Sequence, residues 1–281
     1  MKTCLDCIPC FFAQALRAGR IATDDEALVK RILDELGSEL SSLSLDSTPP
    51  EIGRTLYGRV REITGTEDPY RRLKHESTEQ ALALYPALKR RIEEAEDGLL
   101  TAIRLAIAGN IIDFGINETF DINATVEEAL RQEFAICDYD AFRNRLEACS
   151  HVLYIGDNAG ETVFDRLLIE QCQRPVTYVV RDRPVINDAT AADAVAAGLD
   201  SVATIVSSGT DAPGTILSTC SPEFRRMLTK SEFTIAKGQG NYEGLSGEDV
   251  SVFFLLKAKC RIIARDIGVQ LGDIILKGMN I

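Results

Sequence analysis

The apolar positions change rhythm near residue 149. Before it they recur every three or four residues: Leu28, Ile32, Leu33, Leu36 and Leu40 form one stripe, and Ile52, Leu56, Val60 and Ile63 another. That spacing turns one face of a helix toward a core. Thr23-x-x-Glu26 reads as a capping box ahead of the first stripe, and Pro49-Pro50 as the start of the second. Ser77-x-x-Gln80 and Thr125-x-x-Glu128 read as two further helix starts, and a long apolar helix is expected over 98–108. After residue 149 short apolar runs alternate with helical ones. Strands are expected at 151–155, 176–180, 203–206 and 233–236, with a fifth at 252–256. Helices are expected through Phe164, Leu167 and Leu168 and over 191–197. Of the 15 valines, 3 precede residue 149 and 12 follow it, and valine favours strands. The pattern predicts an α/β fold. A doubly wound, mainly parallel sheet fills residues 149–281, and an all-helical N-terminal subdomain, residues 1–148, roofs its cleft.

Composition narrows the function. The 281 residues are 45% hydrophobic, enough for a sizeable core, and carry a net charge of −12. So acidic a chain is a poor match for nucleic acid or for a basic membrane-surface patch. A small molecule is the expected partner, and nothing in the sequence sets the oligomeric state. No apolar run approaches the ~20 residues of a membrane helix; the best window, 99–112, carries Arg104 and Asn110. No apolar signal core precedes Asp6, so a cytoplasmic location is expected, with the eight cysteines mostly reduced. Only two histidines are present, His75 and His151, and both read as structural. Histidine-based catalysis and multi-histidine metal sites are thereby disfavoured, and a metal must rely on carboxylates, amides or thiolates.

Three polar clusters follow expected strands, where doubly wound sheets bind ligands. They are Gly156-Asp157-Asn158-Ala159-Gly160-Glu161, Arg183-Pro184-Val185-Ile186-Asn187-Asp188-Ala189-Thr190 and Lys237-Gly238-Gln239-Gly240-Asn241-Tyr242-Glu243. Asp157 and Asp188 are about one βαβ unit apart, which places both carboxylates on one rim. Two carboxylates and an amide oxygen are hard ligands suited to Mg2+ or Mn2+, with Ni2+ or Co2+ as further candidates. Lys237 can supply a cation to a bound phosphate, and Gly238 and Gly240 can let backbone N–H groups approach it. For each cluster alone, helix capping by Asp157 or Asp188 explains the residues equally well.

With these motifs the chain resembles the damage-control phosphatases, the family catalogued as domain of unknown function 89. The resemblance runs over nearly the whole length. It includes Cys4-Leu-Asp-Cys7-Ile-Pro-Cys10, Thr64-Gly65-x-x-Asp68-Pro69-Tyr70 with Lys74, Gly109-Asn110-Ile-Ile-Asp113, the three rim clusters and Leu255-Leu-Lys-Ala-Lys-Cys260. The cysteine-rich start is similar to the prokaryotic branch. The resemblance implies a metal-dependent phosphatase of metabolite repair, acting on sugar phosphates or damaged phosphometabolites. It implies Asp157, Asn158 and Asp188 as metal ligands, Asp157, Asp188 and Lys237 as catalytic, and Lys237-Gly238 as the phosphate contact. Asn110, Glu161, Asn187 and Asn241 are expected to bind substrate. Other branches carry Arg-Thr-x-Lys where this chain has Phe254-Leu255-Leu256-Lys257, so their substrates do not transfer.

Several residues keep a second reading. Cys4, Cys7 and Cys10 are either a second metal or redox site, or apolar fillers on one helix face. Asn110 and Asp113 end an apolar helix, and Glu161 suits a helix first turn regardless of function. Two alternatives stand beside a phosphatase. One is an S-adenosylmethionine-dependent methyltransferase, from a glycine loop over 154–160. The other is a non-catalytic metal- or nucleotide-binding module.

Overall fold

The computed structural model describes residues 1–39, 42–111 and 122–281. The chain opens with six helices: α1 Cys7–Ala22, α2 Glu26–Glu39, α3 Pro49–Thr64, α4 Arg71–Glu93, α5 Gly98–Ile111 and α6 Ile122–Arg131. Then follow β1 Phe134–Cys137, α7 Tyr139–Ala148, β2 Val152–Ile155, α8 Thr162–Cys172, β3 Val176–Val180, α9 Ala191–Ala196 and β4 Thr204–Ser207. The remainder is α10 Pro222–Lys230, β5 Thr234–Lys237, α11 Gly238–Leu245, β6 Val252–Lys257, α12 Arg261–Ile267 and β7 Ile274–Met279.

The sheet order is β1-β7-β6-β5-β2-β3-β4. Strands β6, β5, β2, β3 and β4 run parallel, while β7 is antiparallel to β6 and β1 is parallel to β7. From β2 the chain winds outward through β3 and β4, then returns to place β5 on the other side of β2. That reversal opens a crevice beyond the carboxyl ends of β2 and its neighbours.

Strand alternation feeds two layers of core. Val152 and Tyr154 of β2 pack with α5 and α8 on one face, and Leu153 and Ile155 pack with Phe224, Leu245 and Ile263 on the other. Helix α5 is apolar along most of its surface, Arg104 apart, with Ala102, Ile103 and Leu105 to Ala108 at 0% exposure, as a helix largely enclosed by its neighbours requires. It packs along α8 and against β6, and ends at the crevice. Helices α1 to α3 share a third core of Phe11, Ala15, Ile32, Leu56 and Val60, joined by Val185 from the loop after β3.

The mainly parallel sheet with flanking helices is as the sequence predicts. Five local readings are corrected. Strand β1 lies within residues 1–148, the segment expected to be wholly helical. It is a four-residue, half-exposed edge strand without valine, so it gives no valine signal. Strand β7 falls outside the expected strand set and runs against the β–α alternation. The α2 cap is Asp25, whose Oδ1 accepts from Ala27 N at 2.9 Å, while Thr23 Oγ1 accepts from Asp25 N at 3.1 Å. Ser77 lies inside α4, its hydroxyl donating back to Lys74 O at 2.8 Å, and Thr125 likewise lies inside α6. By contrast Thr48 and Glu51 close a capping box on Pro49-Pro50. Leu40 and Asp113 lie outside the described residues. Among the described residues no helix is long and apolar enough to cross a membrane.

Candidate active site

Strand β2 is buried on both faces, and Gly156 turns the chain at its end. A Cβ there would lie 2.3 Å from the Tyr178 hydroxyl, so only glycine lets the chain pass to Asp157. The next loop is then clamped to the loop after β3. Ala189 N donates to Asp157 O at 2.7 Å, Ala159 N donates to Asn187 O at 2.8 Å, and Asn158 and Asp188 form an isolated antiparallel bridge. Main-chain bonds thus join Asp157, Asn158 and Asp188 across 31 residues of sequence. Within the clamp Ile186 has φ +40°. A β-branched residue in that region costs on the order of 1–3 kcal/mol. Val185 and Ile186 both pack on the core of α1 to α3, which holds the strained turn.

The carboxylates are held differently. Asp188 is buried, and its Oδ2 accepts from Arg181 Nε at 2.7 Å. Arg181 is itself 2% exposed and donates also to Asn241 Oδ1 at 3.0 Å and Thr215 Oγ1 at 3.4 Å. Burial raises the Asp188 pKa, and the Arg181 charge opposes the rise. The Asp157 side chain keeps 12% of its surface exposed. Its Oδ2 accepts from Asn110 Nδ2 at 2.8 Å and Asn158 Nδ2 at 3.4 Å, while its Oδ1 accepts no hydrogen bond from the described residues. Burial, then the charges of Asp188 and Glu161, push the Asp157 carboxyl up to about 8. A carboxylate cluster so short of positive charge, built from hard oxygen donors, fits a divalent cation. Among the described residues no three His, Cys, Asp or Glu side chains are grouped to hold a metal; the oxygen donors that the two loops bring to the cleft are the Asp157 and Asp188 carboxylates and the Asn158 amide.

Lys237 ends β5, but its ammonium turns away from the cleft. At 0% exposure, its three protons go to Ala106 O at 2.8 Å, Asp165 Oδ1 at 2.6 Å and Glu161 Oε1. Burial works against its charge, but Asp165 and Glu161 outweigh burial and raise its pKa. Asp165 in turn accepts from Tyr154 and Tyr178 hydroxyls, each at 2.7 Å; burial pushes it up to about 6 against the Lys237 charge. Lys237, expected to contact phosphate, thus has all three protons bound to protein oxygens and does not line the cleft. Glu161, at 1% exposure, uses Oε2 to accept from Asn110 Nδ2 at 2.7 Å and Asn158 Nδ2 at 3.2 Å. Lys237 and Glu161 thus orient two amides that meet Asp157.

Gly238 is also beneath the site. Its φ is +77°, and a Cβ would fall 1.9 Å from Asp157 Oδ2. Asn241, expected to bind substrate, is 0% exposed. It spends Nδ2 on Gly156 O and Lys237 O, and Oδ1 on Arg181 and Thr215, so it braces three rims instead. Asn187 lines the cleft. Asn110 lines it too, and its buried Oδ1 has no hydrogen-bond partner among the described residues.

The cleft has a volume of about 660 Å3. Asp157, Asn158 and Asp188 form its floor, and Gln14, Arg17, Tyr57 and Tyr70 come from the helical side. Lys257 and Lys259, at the end of β6, also line it. Neither they nor Arg17 form an ion pair among the described residues, and the Lys259 charge lowers the Asp157 pKa. In the sequence both lysines stand within the Leu255-Leu-Lys-Ala-Lys-Cys260 motif. Their place after an apolar strand was the same signal that picked out Lys237. Cys4, Cys7 and Cys10 lie outside this lining.

A family model described as the damage-control phosphatase ARMT1-like domain matches residues 3–275. The chain is 34% identical to a damage-control phosphatase of Archaeoglobus fulgidus, covering 99% of each chain. It is 33% identical to a damage-control phosphatase of Pyrococcus horikoshii, covering 98% of this chain and 97% of that one. It superposes on the crystal structure of a DUF89 family protein from Pyrococcus horikoshii with a TM-score of 0.92, at 32% identity and 99% coverage of both.

Proposed function

We propose that this chain, which belongs to the damage-control phosphatase ARMT1-like family, hydrolyses small phosphate monoesters with a divalent cation held by Asp157, Asn158 and Asp188. The observation that carries this reading is the backbone bridge from Asn158 to Asp188, which gathers oxygen donors whose negative charge Arg181 only partly offsets. Mg2+ and Mn2+ suit such donors, and a bound cation supplies Lewis-acid stabilisation of the phosphoryl oxygens.

The chain's own residues do the rest. Lys257 and Lys259 draw the phosphate dianion to the floor and counter charge that grows on its oxygens. Asn110 and Asn158 fix Asp157 through Oδ2 and leave Oδ1, 3.9 Å from Arg181 Nη2, as the oxygen that meets the phosphorus or a water beside it. The Asn110 Oδ1 is an acceptor for a proton of the substrate or of that water. Attack by water and attack by Asp157 Oδ1 are both compatible with this arrangement, and trapping a phospho-enzyme distinguishes them. The methyltransferase reading loses support at Arg181. It ends β3, where a ribose-gripping carboxylate would be needed, and is committed to Asp188.

The test is phosphate release from a panel of sugar phosphates by protein stripped with chelator, before and after adding Mg2+ or Mn2+. Release only after metal is added is expected. Full activity in excess chelator, or no release from any ester, overturns the reading.

A further inference from the structure

The N-terminal cysteines take no part in the cleft, yet two of them meet. Cys4 Sγ and Cys7 Sγ are 3.6 Å apart, and the turn between them is closed by Cys7 N donating to Cys4 O at 3.0 Å. Both thiols are half-buried, so a small reagent can reach them. Cys10, one turn further along α1, is exposed and instead receives Gln14 Nε2 at 3.2 Å. Cys149, Cys172 and Cys220 are buried. A metal reading of the N-terminal set finds no third ligand, since no three-member cluster exists among the described residues.

A disulfide needs its sulfurs about 2.05 Å apart. From 3.6 Å that is a closure of roughly 1.5 Å, within reach of side-chain rotation about a turn already formed. We propose that Cys4 and Cys7 are a thiol–disulfide exchange site that forms a reversible intramolecular disulfide with low-molecular-weight disulfides such as oxidised glutathione. The Cys4 thiol loses its proton, and the thiolate attacks the small disulfide, making a mixed disulfide and releasing one small thiolate. Cys7 then loses its proton and attacks Cys4 Sγ, forming the Cys4–Cys7 bond and releasing the second small thiolate. Two electrons pass from the pair to the oxidant, which ends as two thiols carrying the two protons. Burial pushes the Cys7 thiol up to about 11, which suits Cys7 to the resolving step, where proximity compensates for a small thiolate fraction.

The full-length protein is equilibrated across a series of glutathione ratios, quenched in acid, alkylated and weighed intact. The expected result is a species with two fewer alkylated thiols than the eight available. It returns to eight on a shift to reducing ratios, is absent in Cys4→Ser and Cys7→Ser, and is unchanged in Cys10→Ser. Thermal melting of reduced Cys4→Ser is expected to match wild type. Eight alkylated thiols at the most oxidising ratio overturns the proposal. So does a two-thiol loss that survives Cys4→Ser or Cys7→Ser, or one that disappears with Cys10→Ser.

Discussion

Arg181 Nε donates to Asp188 Oδ2 at 2.7 Å where both side chains are no more than 2% exposed. A buried pair of this kind is strongly destabilised when one partner is removed, because the other is left charged without compensation. Arg181→Met is expected to cost about 3–5 kcal/mol of folding stability, measured by urea unfolding. A loss under about 1 kcal/mol means that Asp188 does not depend on this partner.

Lys237 and Lys259 separate support from contact. Lys237→Met strands Glu161 and Asp165, so a drop of about 3–5 kcal/mol in stability is expected. Lys259→Ala removes a cleft-lining lysine that has no ion pair among the described residues, so stability is expected to hold within about 0.5 kcal/mol while phosphate-ester turnover falls on the order of 10²-fold. Denaturation and steady-state kinetics on both variants check this. A Lys237→Met protein of unchanged stability but lost turnover would restore the direct phosphate contact.

Gly238→Ala should be the most damaging single methyl at the site. It combines a positive φ with a Cβ placed 1.9 Å from Asp157 Oδ2, so Asp157 must move. Gly247→Ala is the control, since a Cβ there meets nothing within 4 Å. Phosphate release and melting curves are expected to collapse for the first and stay at wild-type values for the second. Equal behaviour contradicts the packing of the Lys237–Gly238 turn under Asp157.

Glu243, on α11, is pushed up to about 7 by burial, against the lowering effect of its bond from Gln239. Between the unfolded value of 4.5 and 7 the folded state holds more protons than the unfolded one. Stability contributed by this group therefore falls as pH rises through that window and is flat above it. Glu243→Gln removes the slope. At roughly 1.4 kcal/mol per unit it is expected to be about 3 kcal/mol more stable than wild type near pH 8 and equal to it near pH 4, by urea unfolding at each pH. A difference that does not change with pH refutes the shift.

The rims were legible in sequence because Asp157, Asp188 and Lys237 each follow an apolar run, and strand ends in a wound sheet face the crevice. The direction of a side chain leaving that rim was not legible. Lys237 turns inward because α8 presents Glu161 and Asp165 beneath it, and in sequence Asp165 is merely an acid in a helix first turn. Tyr154 and Tyr178 look like ordinary core aromatics. Only the strand register, which pairs them directly across β2 and β3, shows that both hydroxyls converge on one carboxylate. The cap of α2 misled for a local reason: Asp25 and Thr23 are both capping residues, and spacing alone does not rank them.

The floor and the mouth of the cleft rest on different cores. Asp157 and Glu161 stand at the end of β2 and the start of α8, sealed into the sheet layers, whereas Gln14, Arg17 and Tyr57 project from α1 and α3, which pack on their own apolar cluster. Substitutions that repack the helical cluster can reshape what enters without moving Asp157 or Glu161, but they reach Asp188 through Val185 and Ile186. Such a division makes the inner faces of α1 and α3 the part of the cleft that can vary in shape while Asp157 and Glu161 stay fixed, and it leaves Asp188 as the hinge between the two.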